Sequence, residues 1–366
     1  MQEIYEKLKT KMSAQCKRIG TDIPYIVVDG KYKDLYHDIN WWTNAFWAGA
    51  LWQMHNATGE SPYRAAAEGV EKRLDEALYG FEGLYHDVGF MWLHTSVANY
   101  RLTGNKDARR RGLNAANLLA GRYNPLGRFI RAWNGDDQIG LTIVDTMMNL
   151  PILYWAEKET GDPRFGAIAT FHADTCLEHI VRPDGSCNHI SVLDPNTGEF
   201  VSAPGGQGYE SGSSWSRGHA WALYGFALSY LYTKKDRYLD AAKRIAHYFI
   251  SNLAISDWLP LVDFRAPKEP VKYDATAAMI ACCGFLEIAN HVGEHEKFMY
   301  TEAAQKTLQA CEKAFCNWNP DEDGLIFNGS ASYHEKSPAA NTAIIYGDYF
   351  LVEAVTRLTG KSFLIW

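Results

Sequence analysis

The sequence predicts an all-α fold: six helical hairpins closed into a ring, an (α/α)6 barrel, with one small β-hairpin in a long loop. Three observations carry this. A turn of Thr-Gly or a similar pair recurs six times, near residues 58, 103, 160, 233, 292 and 359. Each interval has room for two helices and a loop, the signature of a repeat architecture. The segments after the turns are alanine-rich and amphipathic at helical period, as in Tyr238–Phe249. No Pro/Gly/Ser-rich linker divides the chain, so residues 1–366 read as a single domain. An open α-solenoid is the alternative arrangement of the same hairpins.

The elements follow in order. Met1–Met12 is charged and amphipathic and has no secretory apolar region. The first turn, Ala57-Thr-Gly-Glu-Ser-Pro-Tyr-Arg, leads into Ala65-Ala-Ala67; the second is Leu102-Thr-Gly-Asn105. Then come Glu159-Thr-Gly-Asp-Pro163, Tyr232-Thr-Lys-Lys-Asp236, His291-Val-Gly-Glu294 and Leu358-Thr-Gly-Lys361. The glycines suit helix C-caps, where a left-handed residue ends the helix. Arg182–Ser214 is the longest irregular stretch. Within it Ser191–Leu193 and Glu199–Val201 flank Asp194-Pro-Asn-Thr-Gly198 and predict the β-hairpin. Long ordered loops on a helical scaffold are where function usually resides.

Composition narrows the function. Of 366 residues 47% are apolar and 13% aromatic, which excludes disorder. The net charge of −7 argues against a nucleic-acid partner. No apolar run reaches the roughly 18 residues of a membrane span. Seven cysteines without metal-ligand spacing read as buried reduced thiols, and the expected location is cytoplasmic. Phosphate-loop, dinucleotide-fingerprint and His-Glu-x-x-His motifs are absent, so the expected chemistry is carboxylate-based, with no cofactor and no metal.

Two carboxylates stand out. Asp87, in His86-Asp-Val-Gly-Phe90, precedes the apolar segment Met91–Tyr100. Its plain role is a helix N-cap; its functional one is a carboxylate at the mouth of an aromatic cavity. Asp145, in Asp145-Thr-Met-Met-Asn149, has the same two readings. Its apolar neighbours predict desolvation and a raised pKa, which suits a general acid. The stretch Gln207–Trp221 interleaves Trp215, Arg217 and Trp221, offering stacking faces and a guanidinium fork, or simply an aromatic core with a surface arginine. His189 ends a polar turn. Trp42 and Trp133 add aromatic surface.

Together these blocks resemble glycoside hydrolase family 88, the unsaturated glucuronyl hydrolases. The matching blocks are Trp42–Phe46, His86–Phe90, Asp145–Leu150, Arg182–Ser186, Gln207–Trp221 and Tyr346–Phe350, in order and with spacing preserved. The resemblance implies an (α/α)6 barrel. It also implies a hydrolase that removes a Δ4,5-unsaturated uronic acid from the non-reducing end of lyase-generated oligosaccharides. The reaction is a hydration. A carboxyl protonates C4 of the enol ether, water adds at C5, and the hemiketal opens and expels the remaining sugar. The resemblance makes Asp145 the acid/base and Asp87 the second carboxylate, positioning substrate and helping to keep Asp145 protonated. Trp42, Trp133, Trp215 and Trp221 become aromatic walls; His189, Gln207 and Arg217 hold the uronate.

Two positions depart from the family pattern: His219 stands where Gln is usual, and Asn44 where Gly or Ser is frequent. Some members use a C-terminal loop to hold sulfate. The corresponding Ser332–Ser337 carries Glu335, which would repel it. The rival readings are an unsaturated rhamnogalacturonyl hydrolase acting on pectin fragments, a sugar epimerase on the same toroid, and a non-enzymatic α-solenoid scaffold.

Overall fold

A computed structural model describes residues 1–366. The elements that matter pair as inner and outer helices. α1 (Gln2–Ile19) is outer and is followed by the hairpin β1 (Pro24–Val28) and β2 (Lys31–Asp34). α2 (Phe46–Thr58) is inner and α3 (Ser61–Arg73) outer, with a short α4 (Asp75–Gly80). The next inner rod is broken. α5 (Val88–Trp92) and α6 (Ala98–Thr103) are joined by a π turn over Leu93–Val97, and α7 (Lys106–Ala120) is its outer partner. β3 (Tyr123–Asn124), β4 (Phe129–Ile130) and β5 (Leu141–Ile143) lead to α8 (Pro151–Thr160) and α9 (Pro163–His179). β6 (Ile190–Leu193) and β7 (Phe200–Ser202) precede α10 (Ser216–Thr233) and α11 (Asp236–Ala254). α12 (Ala275–Ala289) and α13 (Glu294–Phe315) follow, and α14 (Ile345–Leu358) is the sixth inner helix. α14 packs on both α12 and α2, which closes the ring and excludes the open solenoid; α1 serves as its outer partner.

The recurring threonine has a physical job. Thr58, Thr103, Thr160, Thr233 and Thr359 each donate their hydroxyl to the carbonyl four residues back, at 2.7–2.8 Å. The first four also accept the N–H two residues on, at 3.2–3.3 Å, which turns the chain out of the inner helix. The residue after each of these four is left-handed, including Lys234 with no glycine. The fifth turn differs: Gly293 is the N-cap of α13, not a left-handed C-cap.

Helix polarity sorts the layers. α12 and α10 are buried along nearly their whole length, while α11 buries one stripe, Tyr238, Ala241, Ala242, Ile245, Phe249. An inner helix surrounded on all sides must be apolar all round; an outer helix needs only one face. The expected β-hairpin forms as β6–β7, but β5 pairs with β6 and makes it a three-stranded antiparallel sheet. That pairing binds the strand before Asp145 to the strand after His189. The hairpins β1–β2 and β3–β4 were not anticipated; β3 and β4 have only two residues each, too few for a periodic signal. All seven cysteines are unpaired, six buried and Cys316 partly so. No helix is long and apolar enough to cross a membrane.

The far end of the ring is filled. Trp366 is fully buried, stacks on Phe350 and packs edge-on to His94 and Phe90. Arg101 gathers the carbonyls of Leu364, Ile365 and Trp366 at 2.7–2.8 Å. Beyond it lies a buried ion cluster: Arg357 bonds Glu287 at 2.8 Å and Glu353 at 2.9 Å. Burial alone would raise the Glu287 pKa, but His291 and Arg357 outweigh it and hold the carboxyl at about 2. A depressed acid stabilises the fold above its unfolded pKa and loses that contribution as pH falls. Glu287 should contribute about 3 kcal/mol above pH ~4.5, lost on acidification towards pH ~2. Urea unfolding of Glu287→Gln should therefore show a lower midpoint at neutral pH and a flatter fall across that window than the native chain.

Candidate active site

The two candidate carboxyls sit at one rim, in the segments that enter the inner helices. Asp87 directly precedes α5, and Asp145 lies in a 3-10 turn, Val144–Met148, ahead of α8. Neither caps a helix. Asp87 occupies the N-cap position, but its side chain makes no capping bond. It turns inward and accepts from Asn149 Nδ2 at 2.9 Å. Asn149 is fixed in orientation because its Oδ1 accepts the Phe90 N–H at 2.7 Å; its Nδ2 also reaches the Asp145 carbonyl at 3.3 Å. Gly89 permits this approach, since a Cβ there would lie 2.6 Å from Asn149 atoms. Both carboxyls are buried, Asp87 at 7% exposure and Asp145 at 8%.

The two carboxyls are driven apart. Burial and the neighbouring Asp145 charge push Asp87 well above the usual carboxylate range, only partly offset by Asn149 and Arg122. Burial also acts to raise Asp145, but His189, then His86 and Arg217, outweigh it and hold it below its ordinary value. This corrects the expected raised pKa of Asp145. Apolar neighbours did desolvate it, but three nitrogen-bearing side chains from other segments reverse the sign. The bias makes Asp87 the readier of the two to hold a proton and Asp145 the readier to carry the charge, and it is the Asp145 charge that favours protonation of Asp87.

His189 is oriented for Asp145. Its Nδ1 accepts the backbone N–H of Gln207 at 3.1 Å, so Nε2 carries the hydrogen and faces Asp145 Oδ1 at 3.4 Å. Gly206 has φ +58, and a Cβ there would lie 2.0 Å from His189 Nδ1. Trp215 packs on the other side, its ring 4.5 Å from His189.

Of the seven expected binding residues, four are partly exposed or stand beside Asp145, and three are buried with their contacts committed elsewhere. Trp42 and Trp133 are partly exposed; Trp42 stacks on Tyr346 at 5.0 Å. Arg122 ties the Trp133 loop to the wall through the carbonyls of residues 131, 132 and 133. Gln207 is half-buried and also donates Nε2 to the Ala331 carbonyl at 2.6 Å; His189 stands beside Asp145. Trp221 is fully buried, packed under Trp42 and Phe90, because α10 is enclosed on every side. It is floor, not wall. Trp215 is 2% exposed and lies between His189 and Arg217. Arg217 is buried with its guanidinium already committed: Nη1 to Asp274 Oδ2 at 2.7 Å and to the Ser330 carbonyl, Nη2 to the Ala331 carbonyl. It is not a free fork for a uronate.

Two residues the sequence reading left without a role prove central. Asn149 ties the Asp87 carboxyl to the main-chain carbonyl of Asp145, and His86 backs Asp87. Both stood inside the recognised blocks, but their side-chain directions depend on how two distant loops meet. His219, the departure from the family pattern, is a structural clamp. Its Nδ1 donates to the Trp215 carbonyl and its Nε2 accepts the Cys187 N–H, both at 2.8 Å. No group of three or more His, Cys, Asp or Glu is placed to hold a metal ion.

A closed helical toroid with two buried, oppositely biased carboxyls beside aromatic faces has the constitution of a glycosidase. A family model for Glycosyl Hydrolase Family 88 matches residues 17–335, and the chain belongs to that family. It is similar to an unsaturated glucuronyl hydrolase of Bacillus sp. (strain GL1), 36% identical over 353 residues, 93% of this chain and 92% of that one. An unsaturated chondroitin disaccharide hydrolase of Streptococcus pyogenes serotype M1 is 31% identical over 335 residues, 86% and 80% of the two chains. The crystal structure of the Bacillus sp. GL1 enzyme superimposes with a TM-score of 0.93 at 32% identity, covering 98% of this chain and 96% of that one.

Proposed function

We propose that this protein hydrates the C4=C5 bond of a Δ4,5-unsaturated uronic acid at the non-reducing end of a small oligosaccharide and so releases the sugar beyond it. One observation carries the reading: two buried carboxyls, held together by Asn149 through the Asp87 carboxyl and the Asp145 main-chain carbonyl, have proton affinities driven in opposite directions, which suits them to share one proton. At rest the proton is on Asp87. An arriving uronate adds a second negative charge and expels water beside Asp145, and both effects raise the proton affinity of Asp145. Asp145 takes over the proton that Asp87 gives up and delivers it to C4: the new O–H bond breaks, a C–H bond forms, and positive charge develops at C5. The regenerated Asp145 carboxylate takes a proton from the water that bonds to C5. The hemiketal opens, and the hemiacetal left at C1 expels the aglycone.

Further points support the wider reading. One continuous core runs from Ile4 to Trp366, which favours residues 1–366 as one domain. Seven unpaired thiols suit a reducing, cytoplasmic setting. The loop bearing Glu335 is fastened to the rim, since the Tyr333 N–H donates to the Gln207 carbonyl at 2.8 Å. Backbone N–H groups of Ser337 and Lys336 keep Glu335 ionised, which favours unsulfated substrates.

The test is to offer lyase-generated chondroitin, hyaluronan, heparin, gellan and pectin disaccharides and follow the alkene ultraviolet absorbance. Loss of the signal on a glucuronate disaccharide is the expected result. A folded protein that leaves all five unchanged overturns the proposal, and turnover of the pectin disaccharide alone favours the rhamnogalacturonyl reading.

A further inference from the structure

His86 has no part in the chemistry above, yet it is fully buried against both carboxyl segments. Its Nε2 makes no hydrogen bond and lies 3.3 Å from Asp87 Oδ2. Its Nδ1 is 2.8 Å from the hydroxyl of Thr146, the residue after Asp145. Its own N–H is bonded to the Ala132 carbonyl at 3.1 Å, which fixes the backbone that carries the ring. The imidazole therefore spans the gap between the Asp87 and Asp145 segments on the side opposite Asn149.

Asn149 donates to Oδ1 of Asp87, so a proton on that carboxyl belongs on Oδ2, the oxygen that faces His86. A ring nitrogen facing an O–H acts as acceptor, which places the ring hydrogen on Nδ1, directed at Thr146 Oγ1. Once Asp87 ionises, the better arrangement is reversed: Nε2–H donates to Oδ2 and Nδ1 accepts from the Thr146 hydroxyl. We propose that His86 is a positioning residue that holds the resting proton on Asp87 Oδ2 and follows its departure by exchanging tautomers. On titration the exchange balances: the Oδ2 proton moves to Nε2, the Nδ1 proton passes to Thr146 Oγ1 as that hydroxyl gives up its own, one proton is lost to bulk in all, and the ring is neutral before and after. Burial keeps it neutral, with a pKa of about 3. The charged or titratable groups around this pair are Asp145 and Arg122 from adjoining segments, with His172 and His189 behind His86.

The inference rests on the proposed hydration reaction, and its test separates the two. In His86→Asn the amide retains a contact for Thr146 but does not reach Asp87, so Asp87 loses its acceptor. The basic limb of the kcat/KM profile should move about one unit to lower pH, with KM at acidic pH unchanged. An unshifted limb in an active, folded variant overturns the role of His86 and leaves the hydration reading intact. Absence of turnover by the native protein on every unsaturated disaccharide overturns the reading itself. Nitrogen-15 NMR of the imidazole gives an activity-independent readout. The native His86 should change from the Nδ1–H to the Nε2–H tautomer as pH rises. Asp87→Asn, whose amide permanently donates to Nε2, should remain Nδ1–H throughout. A native tautomer that does not change with pH rejects the proposal even if Asp87→Asn is inactive.

Discussion

Asp145→Asn should lose turnover by about 10³-fold or more while unfolding at nearly the native midpoint, because positioned acid–base groups contribute roughly 10²–10⁴ each and this one serves twice. The amide occupies the same volume, and the side chain makes no capping bond whose loss would weaken a helix. Its one close neighbour, His189 Nε2–H, can meet the amide oxygen as it met the carboxylate. The loss should fall on kcat, with substrate still bound through the aromatic rim. Steady-state kinetics on the preferred disaccharide, together with thermal unfolding, check both halves. Activity within tenfold of native would remove Asp145 from the chemistry.

Arg217→Ala should cost stability first and catalysis as a consequence. The guanidinium is the only charge partner of Asp274, a fully buried carboxylate whose remaining contacts are the Thr276 N–H and hydroxyl. Breaking one side of a buried pair typically costs about 3–5 kcal/mol, since the other charge is stranded. The same substitution releases the carbonyls of Ser330 and Ala331 and removes the cation over which Trp215 packs at 4.4 Å. Trp215 in turn supports His189. The expected result is a large drop in urea midpoint and a fall in kcat, with Arg217→Lys recovering part of each. A variant of native stability with only KM raised would show instead that the guanidinium meets the substrate directly, as the sequence pattern suggested.

The contrast between these residues shows what the sequence could disclose. Five of the six turns were readable because they use the same local chemistry, a threonine hydroxyl and a left-handed residue, and local chemistry is written within five residues. The two carboxyls were readable because their blocks are unusual in composition. Their relative proton affinities were not, since these depend on His189 arriving from β6 and on Asn149 turning back to Asp87. Trp221 and Arg217 were misjudged for one reason. Alternating Trp and Arg looks like a stacking surface, and nothing within that stretch discloses that α10 is enclosed by its neighbours and by the 330–331 loop. The short strands β3, β4 and β5 escaped because their pairing partners lie in distant segments or their length carries no period.

The buried Trp366 has a consequence for how a polymer would be handled. With the axis of the ring stoppered by the Trp366 indole and by the Arg101 grip on the carbonyls of residues 364–366, the molecule is a cup with one mouth rather than a tunnel. A polysaccharide has no way to thread through, so cleavage is confined to its tip. The freed monosaccharide must back out the way it came before the next can enter, which makes short chains, rich in tips per unit mass, the natural diet.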